Sequence, residues 1–382
     1  MSLIYLDYAA ATPLDPRVLA RMQPYFSEAF YNPSSPYAPA VAVRRDYEAA
    51  KASIAVVIGS RTGELTMTAG ATESVNLAFS GGAGHVVATT IEHQAVLAAA
   101  RQHEHTLVAV DAHGRVDPGA IATAIRPDTW LVSVGLANSE IGTVQPLAKI
   151  AAMMKLERTK RREQGNQTPL YLHSDASQGV GQLDVNVARL GVDMLTLNAA
   201  KIYGPKQVGL LYASRDVVLQ PQIVGGGQEQ GRRSGTENVA GVIGMAYAIE
   251  HADKARKAEA HRLMQLRDQL QSALTTRFPD AIVSGHAKHR LSGHLHISFP
   301  GIDAERLVFA LEARGVLVAT GSACAANKGT RSHVLEAIGL EPHEADGSLR
   351  LSLGKQTDQA LIAEAAERII AVVTLEQERV RR

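Results

Sequence analysis

Asp175 and Lys201 each follow an apolar, strand-like stretch (170–173 and 194–197), so the two side chains can meet at the carboxyl edge of one sheet. Ligands of open α/β sheets bind at that edge. A carboxylate placed there can pair with a protonated ring nitrogen and keep the ring an electron sink, although an Asp at a strand end also serves as a helix cap. An amine with a lowered pKa can form a Schiff base and shuttle a carbon-bound proton. Lys206, in Ile202-Tyr203-Gly204-Pro205-Lys206, competes with Lys201 for that role by position. The third reactive candidate is the only cysteine, Cys324, in Gly321-Ser322-Ala323-Cys324-Ala325-Ala326-Asn327-Lys328-Gly329. Small and polar neighbours bury little surface, which predicts a mobile loop with an accessible thiol near Lys328 and Arg331. The competing reading is a small buried hydrophobe. A single cysteine forms no internal disulfide and supplies no cysteine cluster for zinc or iron–sulfur.

Two stretches are suited to an anion. Ala69-Gly70-Ala71-Thr72-Glu73-Ser74 follows the strand-like 65–68 and opens a helical pattern. The free N–H groups of a helix start suit a phosphate, and small residues admit it, although ordinary turn chemistry has the same composition. Residues 225–238, Gly-Gly-Gly-Gln-Glu-Gln-Gly-Arg-Arg-Ser-Gly-Thr-Glu-Asn, form a glycine-rich run with a basic pair; an interdomain linker would look similar. His286, His289, His294 and His296 include a pair on one strand face, but they have few hard ligands and no cysteine beside them, so no metal is expected.

These residues need a scaffold. Strand-like runs at 65–68, 85–89, 107–110, 131–134, 170–173, 194–197 and 208–212 alternate with helical patterns at 72–80, 94–104 and 146–163, which predicts a mostly parallel sheet wrapped in helices. A long charged helix over 238–276 leads to strand-like 294–299, helical 304–314, strand-like 349–353 and a helical tail from Thr357, a smaller α+β unit. The polar stretch 155–167 reads as an exposed helix end and loop. At 382 residues two domains are expected, a large one at 15–255 and a small one made of 1–14 and 256–382. A formal charge of +1 gives no field to hold nucleic acid or an anionic membrane, and no apolar run has the length of a membrane helix, so a cytoplasmic location is expected.

Taken in order, Asp7-Tyr8-Ala9-Ala10-Ala11-Thr12-Pro13, Asn32-Pro33-Ser34-Ser35, Gly70-Ala71-Thr72-Glu73-Ser74, Glu92-His93, Asn138-Ser139-Glu140-Ile141-Gly142, Asp175-Ala176-Ser177-Gln178, Lys201-Ile202-Tyr203-Gly204-Pro205-Lys206, residues 225–238 and Ser348-Leu349-Arg350-Leu351-Ser352 resemble the cysteine desulfurases of the iron–sulfur-cluster and nitrogen-fixation type. These are pyridoxal-phosphate (PLP) enzymes of fold type I in the class-V aminotransferase group, and the resemblance spans nearly the whole chain. It implies an α/β transferase fold and assigns roles. Lys201 is the Schiff-base lysine; Ala71, Thr72 and Asn198 hold the phosphate; Asp175 takes the pyridine nitrogen; Asn138 and Gln178 contact the phenolic oxygen. His93 stacks on the ring and takes part in proton transfer, Asn32 and Arg350 hold the substrate carboxylate, and Cys324 carries the persulfide. Thr236, beside Arg233, reaches the partner subunit's phosphate, which implies a homodimer. Relatives carry serine and histidine at Asn198 and Ala200, and glycine at Gln207. Asn198 keeps a donor and Ala200 does not, so the phosphate is held less tightly or by other groups.

The implied activity is conversion of L-cysteine to L-alanine, with sulfur passed to Cys324 and on to an acceptor protein. Two alternatives stand beside it: another PLP lyase or aminotransferase of the same fold, selenocysteine lyases included, and a degenerate PLP-fold scaffold.

Overall fold

The structure, a computed structural model, describes residues 3–321 and 331–381, so Cys324 and Lys328 lie outside the described residues. The described strands are β1 (Ile4–Tyr5), β2 (Leu65–Thr68), β3 (His85–Thr89), β4 (His105–Val108), β5 (Thr129–Ser133), β6 (Tyr171–Asp175), β7 (Met194–Asn198), β8 (Gly209–Ala213), β9 (Ile282–Ser284), β10 (His294–Ser298), β11 (Val316–Leu317) and β12 (Ser348–Ser352). Seven of them form one sheet in the order β2-β8-β7-β6-β5-β3-β4. The pairs from β4 to β7 are parallel, and β8 runs antiparallel to both of its neighbours.

Helices cover both faces of this sheet, which is why its central strands read as continuous apolar runs. Val132, Leu172, Leu195 and Leu210 pack on one side with Val43, Ile54 and Val242. Their sequence neighbours Leu131, Met194 and Leu211 turn to the other side and meet Val75 and Val96, as the two-residue strand period requires. A second core joins Leu295, Ile297, Leu349 and Leu351 of the three-stranded sheet β12-β10-β9 to Leu307 and Ile369. The helix Val239–Arg277 serves both cores: Val242, Met245 and Ile249 enter the first, Leu263, Leu270 and Leu274 the second. Ile4 and Leu6 also belong to the second core, so the first residues of the chain pack with the last third.

Two features differ from the sequence expectations. The helix Ala38–Ile58 precedes the first element read from the sequence, yet its buried Val43, Tyr47, Ala50 and Ile54 have the spacing of three or four that marks a buried face. Residues 155–167 are not wholly an exposed end: the helix Leu147–Glu163 turns Arg161 inward, where Nη1 donates to Thr129 O at 2.8 Å and Nη2 to Arg126 O at 2.6 Å. A charged residue in a charged run gives no sequence sign that it serves as a buried cap.

The glycine-rich stretch 225–238 is anchored rather than free. Glu229, itself at a positive φ of 49°, accepts from Tyr47 Oη at 2.5 Å, Lys51 Nζ at 3.0 Å and Met67 N at 2.8 Å. Lys51 and Glu229 side chains are each 4% exposed, and removing one partner of a buried pair leaves the other charge uncompensated. Lys51→Met is expected to lower the unfolding free energy by about 3 kcal/mol, seen as a lower urea midpoint with an unchanged slope.

Candidate active site

Asp175, Asn198 and Lys201 sit where a strand gives way to a turn. Asp175 is the last residue of β6, and its Oδ1 accepts the N–H of Ser177 at 2.9 Å, which fixes the carboxylate at the sheet edge. Asn198 ends β7, and its Oδ1 accepts the N–H of Ala200 at 3.1 Å, capping the short turn Ala199–Lys201. That turn delivers Lys201, whose Nζ donates to Ala9 O at 2.8 Å and Ala10 O at 2.7 Å. Burial, reinforced by the positive charge of Arg350, lowers the Lys201 amine below the ordinary lysine value. Lys206, the competing lysine, turns instead to the carbonyl of Thr12.

The helix Ala71–Ala78 starts at Gly70, which has a φ of 149° and no side-chain cap. The first N–H groups of a helix have no carbonyl one turn back, so this start offers donors to an anion. A Cβ on Gly70 would meet nothing within 4 Å, leaving an open cradle, while Gly209 allows β8 to pass against the Gly70 backbone, where a Cβ would come within 2.5 Å. Arg233 Nε meets Glu73 Oε1 at 3.0 Å, and Glu73 Oε2 accepts Ala69 N at 2.7 Å, which ties the glycine-rich stretch to this turn.

These elements enclose a cavity of about 340 Å³ lined by Ala71, Thr72, His93, Asn138, Asp175, Gln178, Asn198, Lys201 and Arg350. Nine of the residues picked from the sequence therefore converge on it. Asn32 and Thr236 do not line it; both are exposed, and Asn32 accepts the N–H of Ser34 at 2.9 Å. Cys324 lies outside the described residues. His93 caps the helix Gln94–Ala100 by accepting Ala95 N–H on Nδ1 at 3.1 Å, which puts the proton of its neutral form on Nε2. Asn138 accepts from Glu140 N and Ile141 N on Oδ1 and donates to Ile91 O, so one N–H remains for the cavity. Gln178 donates to Ala9 O at 3.0 Å and has the same capacity. Arg350 donates to Asp7 Oδ1 at 2.6 Å and to Ser139 O at 3.4 Å, while its Nε has no partner among the described residues.

Sequence reasoning gave no role to four buried groups beside this cavity. Burial raises the carboxyls of Glu92 and Glu140 to about 7. Glu92 accepts from Thr89 Oγ1 at 2.6 Å and Gly135 N at 3.0 Å. His294 and His296 are buried with both ring nitrogens unpartnered among the described residues, and burial lowers each to about 3. The Glu-His and Asn-Ser-Glu motifs contained both glutamates, but burial has no signature of its own in a motif. Among the described residues no group of three or more His, Cys, Asp or Glu side chains is placed to hold a metal ion.

A mostly parallel sheet with an open helix start, an amine and a carboxylate at its carboxyl edge is the arrangement of a PLP-type transferase site, and the helix start, amine, carboxylate and cavity size fit that cofactor. The class-V aminotransferase family model matches residues 4–364. Cysteine desulfurase IscS of Dictyoglomus turgidum is 39% identical, over 96% of this chain and 94% of that protein. A cysteine desulfurase IscS of Archaeoglobus fulgidus is 39% identical over 93% of each. A solved structure described as a NifS-like protein superposes with a TM-score of 0.88 at 31% identity, covering 98% of this chain and all of that one. The chain belongs to the class-V aminotransferase family and, within it, to the PLP-dependent cysteine desulfurases.

The two buried histidines have a consequence for acid stability. Their folded pKa lies near 3, below the ordinary 6.5, so they contribute stability that is present above 6.5 and lost as pH falls toward 3. Glu92 and Glu140 act in the opposite sense, contributing below 4.5 and losing that contribution as pH rises through 7. Replacing His294 and His296 with glutamine is expected to flatten the acid-side fall of the thermal midpoint relative to wild type.

Proposed function

We propose that the cavity converts L-cysteine to L-alanine and leaves the sulfur on Cys324 as a persulfide, for transfer to an acceptor protein. The reaction balances without an outside oxidant: cysteine plus the enzyme thiol gives alanine plus the enzyme persulfide. The observation that carries this reading is the partly buried, pKa-lowered Lys201 amine sharing one cavity with the Asp175 carboxylate and the open helix start at Ala71.

Ala71, Thr72 and Asn198 would hold the cofactor phosphate, Asp175 the ring nitrogen, Asn138 and Gln178 the phenolic oxygen, with His93 against the ring face. Bound there, pyridoxal phosphate supplies an aldehyde for an amine and a ring that withdraws electrons from the substrate Cα. Burial lowers the Lys201 amine below the ordinary lysine value, which makes it easier for Nζ to give up a proton and act as a base. The Nε2–H of His93 is placed for proton transfer at the cavity. Arg350 is a planar cation suited to a carboxylate, and its Nη2, held by Asp7 Oδ1, becomes available where a substrate carboxylate competes with Asp7.

We further propose a homodimer, in which Thr236 and Asn32 complete the partner's site rather than their own. Support comes from their exposure outside the cavity and from the exposed apolar side chains Phe30 and Tyr37, which both pack on Tyr31, with Phe26 and Val41 exposed close by in sequence. The proposed division at 15–255, with 1–14 and 256–382 as the second unit, places the boundary inside the helix Val239–Arg277, between its two buried stretches. A cytoplasmic location fits the absence, among the described residues, of any helix long and apolar enough to cross a membrane.

The test is release of sulfide and alanine from L-cysteine with added PLP and a thiol reductant. Equal amounts are expected from wild type. Lys201→Ala should lose on the order of 100-fold or more in rate, and Cys324→Ala should release no sulfide. An aminotransferase would instead keep full activity without Cys324, and a scaffold would bind no PLP.

A further inference from the structure

Glu140 is buried at 1% exposure and lines the cavity, yet none of the assigned steps uses it. Its surroundings connect it to the chain on either side of the cysteine. Gly321 lies so close that a Cβ there would come within 2.1 Å of Glu140 Oε1, and the same Cβ would lie 3.4 Å from Ser332 Cβ. Gly321 and Ser332 flank the stretch that contains Cys324, so both ends of that stretch meet at one carboxyl group.

The two ends are themselves firmly set. Before Gly321, Ala319 pairs with Arg350 of β12, accepting its N–H at 2.7 Å. After it, Ser332 Oγ accepts the N–H groups of Val334 and Leu335 and caps the helix His333–Ala337, and His333 Nε2 donates to Glu92 O at 3.0 Å. The Ser332 hydroxyl proton then remains for Glu140. On its other side Glu140 faces His296, with Nε2 and Oε1 4.0 Å apart, and feels the charge of Arg350. Burial holds Glu140 toward its neutral acid, with Ser332 and Arg350 opposing the rise. An uncharged acid can rest against Gly321 and His296 without demanding a counterion, and it does not compete with Asp7 or with a substrate carboxylate for Arg350.

We infer that Glu140 is a positioning residue for sulfur transfer: wedged between Gly321 and Ser332, it fixes where the chain enters and leaves the stretch that carries Cys324. The inference rests on the proposed desulfurase reaction and concerns its second half, in which the thiol receives the substrate sulfur. Glu140 acts through the backbone on either side of the nucleophile and does not touch the reacting atoms. Small errors in placing a nucleophile cost much rate, on the order of 100-fold for about 1 Å.

The experiment is a single turnover of PLP-loaded enzyme with L-cysteine, with two readouts. Cofactor absorbance reports substrate binding, and the mass of the only cysteine reports captured sulfur. Glu140→Ala is expected to bind cysteine as wild type does while sulfur capture falls on the order of 100-fold; Glu140→Gln, which keeps shape and neutrality, should restore capture. Gly321→Ala, which drives a methyl group onto Oε1, should give the same split between binding and capture, and it decides the matter if Glu140→Ala does not fold. Because both changes act at one contact, their effects should not multiply in the double variant. Wild-type capture in Glu140→Ala, or independent multiplication of the two effects, overturns this inference alone. Failure of wild type to form alanine overturns the desulfurase reading and this inference with it.

Discussion

Lys201 donates from Nζ to the carbonyls of Ala9 and Ala10, and those two hydrogen bonds tie the turn after β7 to a segment packed with the second core. The rest of the site takes its frame from that junction. Thr12 Oγ1 meets Ala200 O at 3.0 Å and accepts Tyr203 N at 2.8 Å, so the turn bearing the amine and the N-terminal segment are stitched together on both sides of Lys201. Two residues before Ala9, Asp7 holds Arg350 and bridges to Ser352. The amine from one sheet and the guanidinium from the other are thus fixed relative to each other through a few residues of chain. A shift between the two cores would move amine and guanidinium apart, which makes the junction a mechanical requirement of any reaction that uses both.

The same junction shapes the electrostatics. Lys201 and Arg350 bring two cationic groups into one cavity, and Asp7 and Asp175 are the carboxylates set against them. The other titratable groups packed nearby lean toward their uncharged forms, Glu92 and Glu140 by raised carboxyls, His294 and His296 by depressed imidazoles. Desolvation drives all four in the neutral direction, since burial penalises whichever form is charged. The outcome is a cavity in which two cationic groups are met by two carboxylates and the nearby buried groups lean neutral, so a cofactor phosphate and a substrate carboxylate would meet Lys201 and Arg350 in competition with Asp7 and Asp175.

The sheet was legible because its strands are buried on both faces and therefore written as apolar runs; β3 and the paired stretches around Asp175 and Lys201 fall within two residues of their expected places. Two-residue strands such as β1 and β11 carry no period to read, yet they set where the chain begins and where it turns toward residue 321. The site divides in the same way. Asp175, Lys201 and the Gly70 turn were visible because their chemistry and their strand-to-turn placement coincide. Glu140 and His296 were not, since their meaning comes from distant chain segments that bury them against each other, and a one-dimensional pattern does not record burial.

The departures at the phosphate end can be weighed on the same terms. Ala200 presents no donor, and Asn198 spends its oxygen on the Ala200 N–H, which leaves its amide nitrogen for the cavity. The backbone N–H groups at Ala71 and Thr72 do not depend on either side chain, so the proposed anion site would keep these donors with alanine at position 200. Gln207 adopts a φ of 57°, a conformation that glycine takes without steric cost and glutamine does not. That strain lies in the loop leading into β8, whose Gly209 passes against Gly70, so the chain keeps the close approach that shapes the cradle even where it has given up the residue best suited to the turn. Backbone geometry, more than side-chain identity, would therefore sustain the proposed phosphate end of this site.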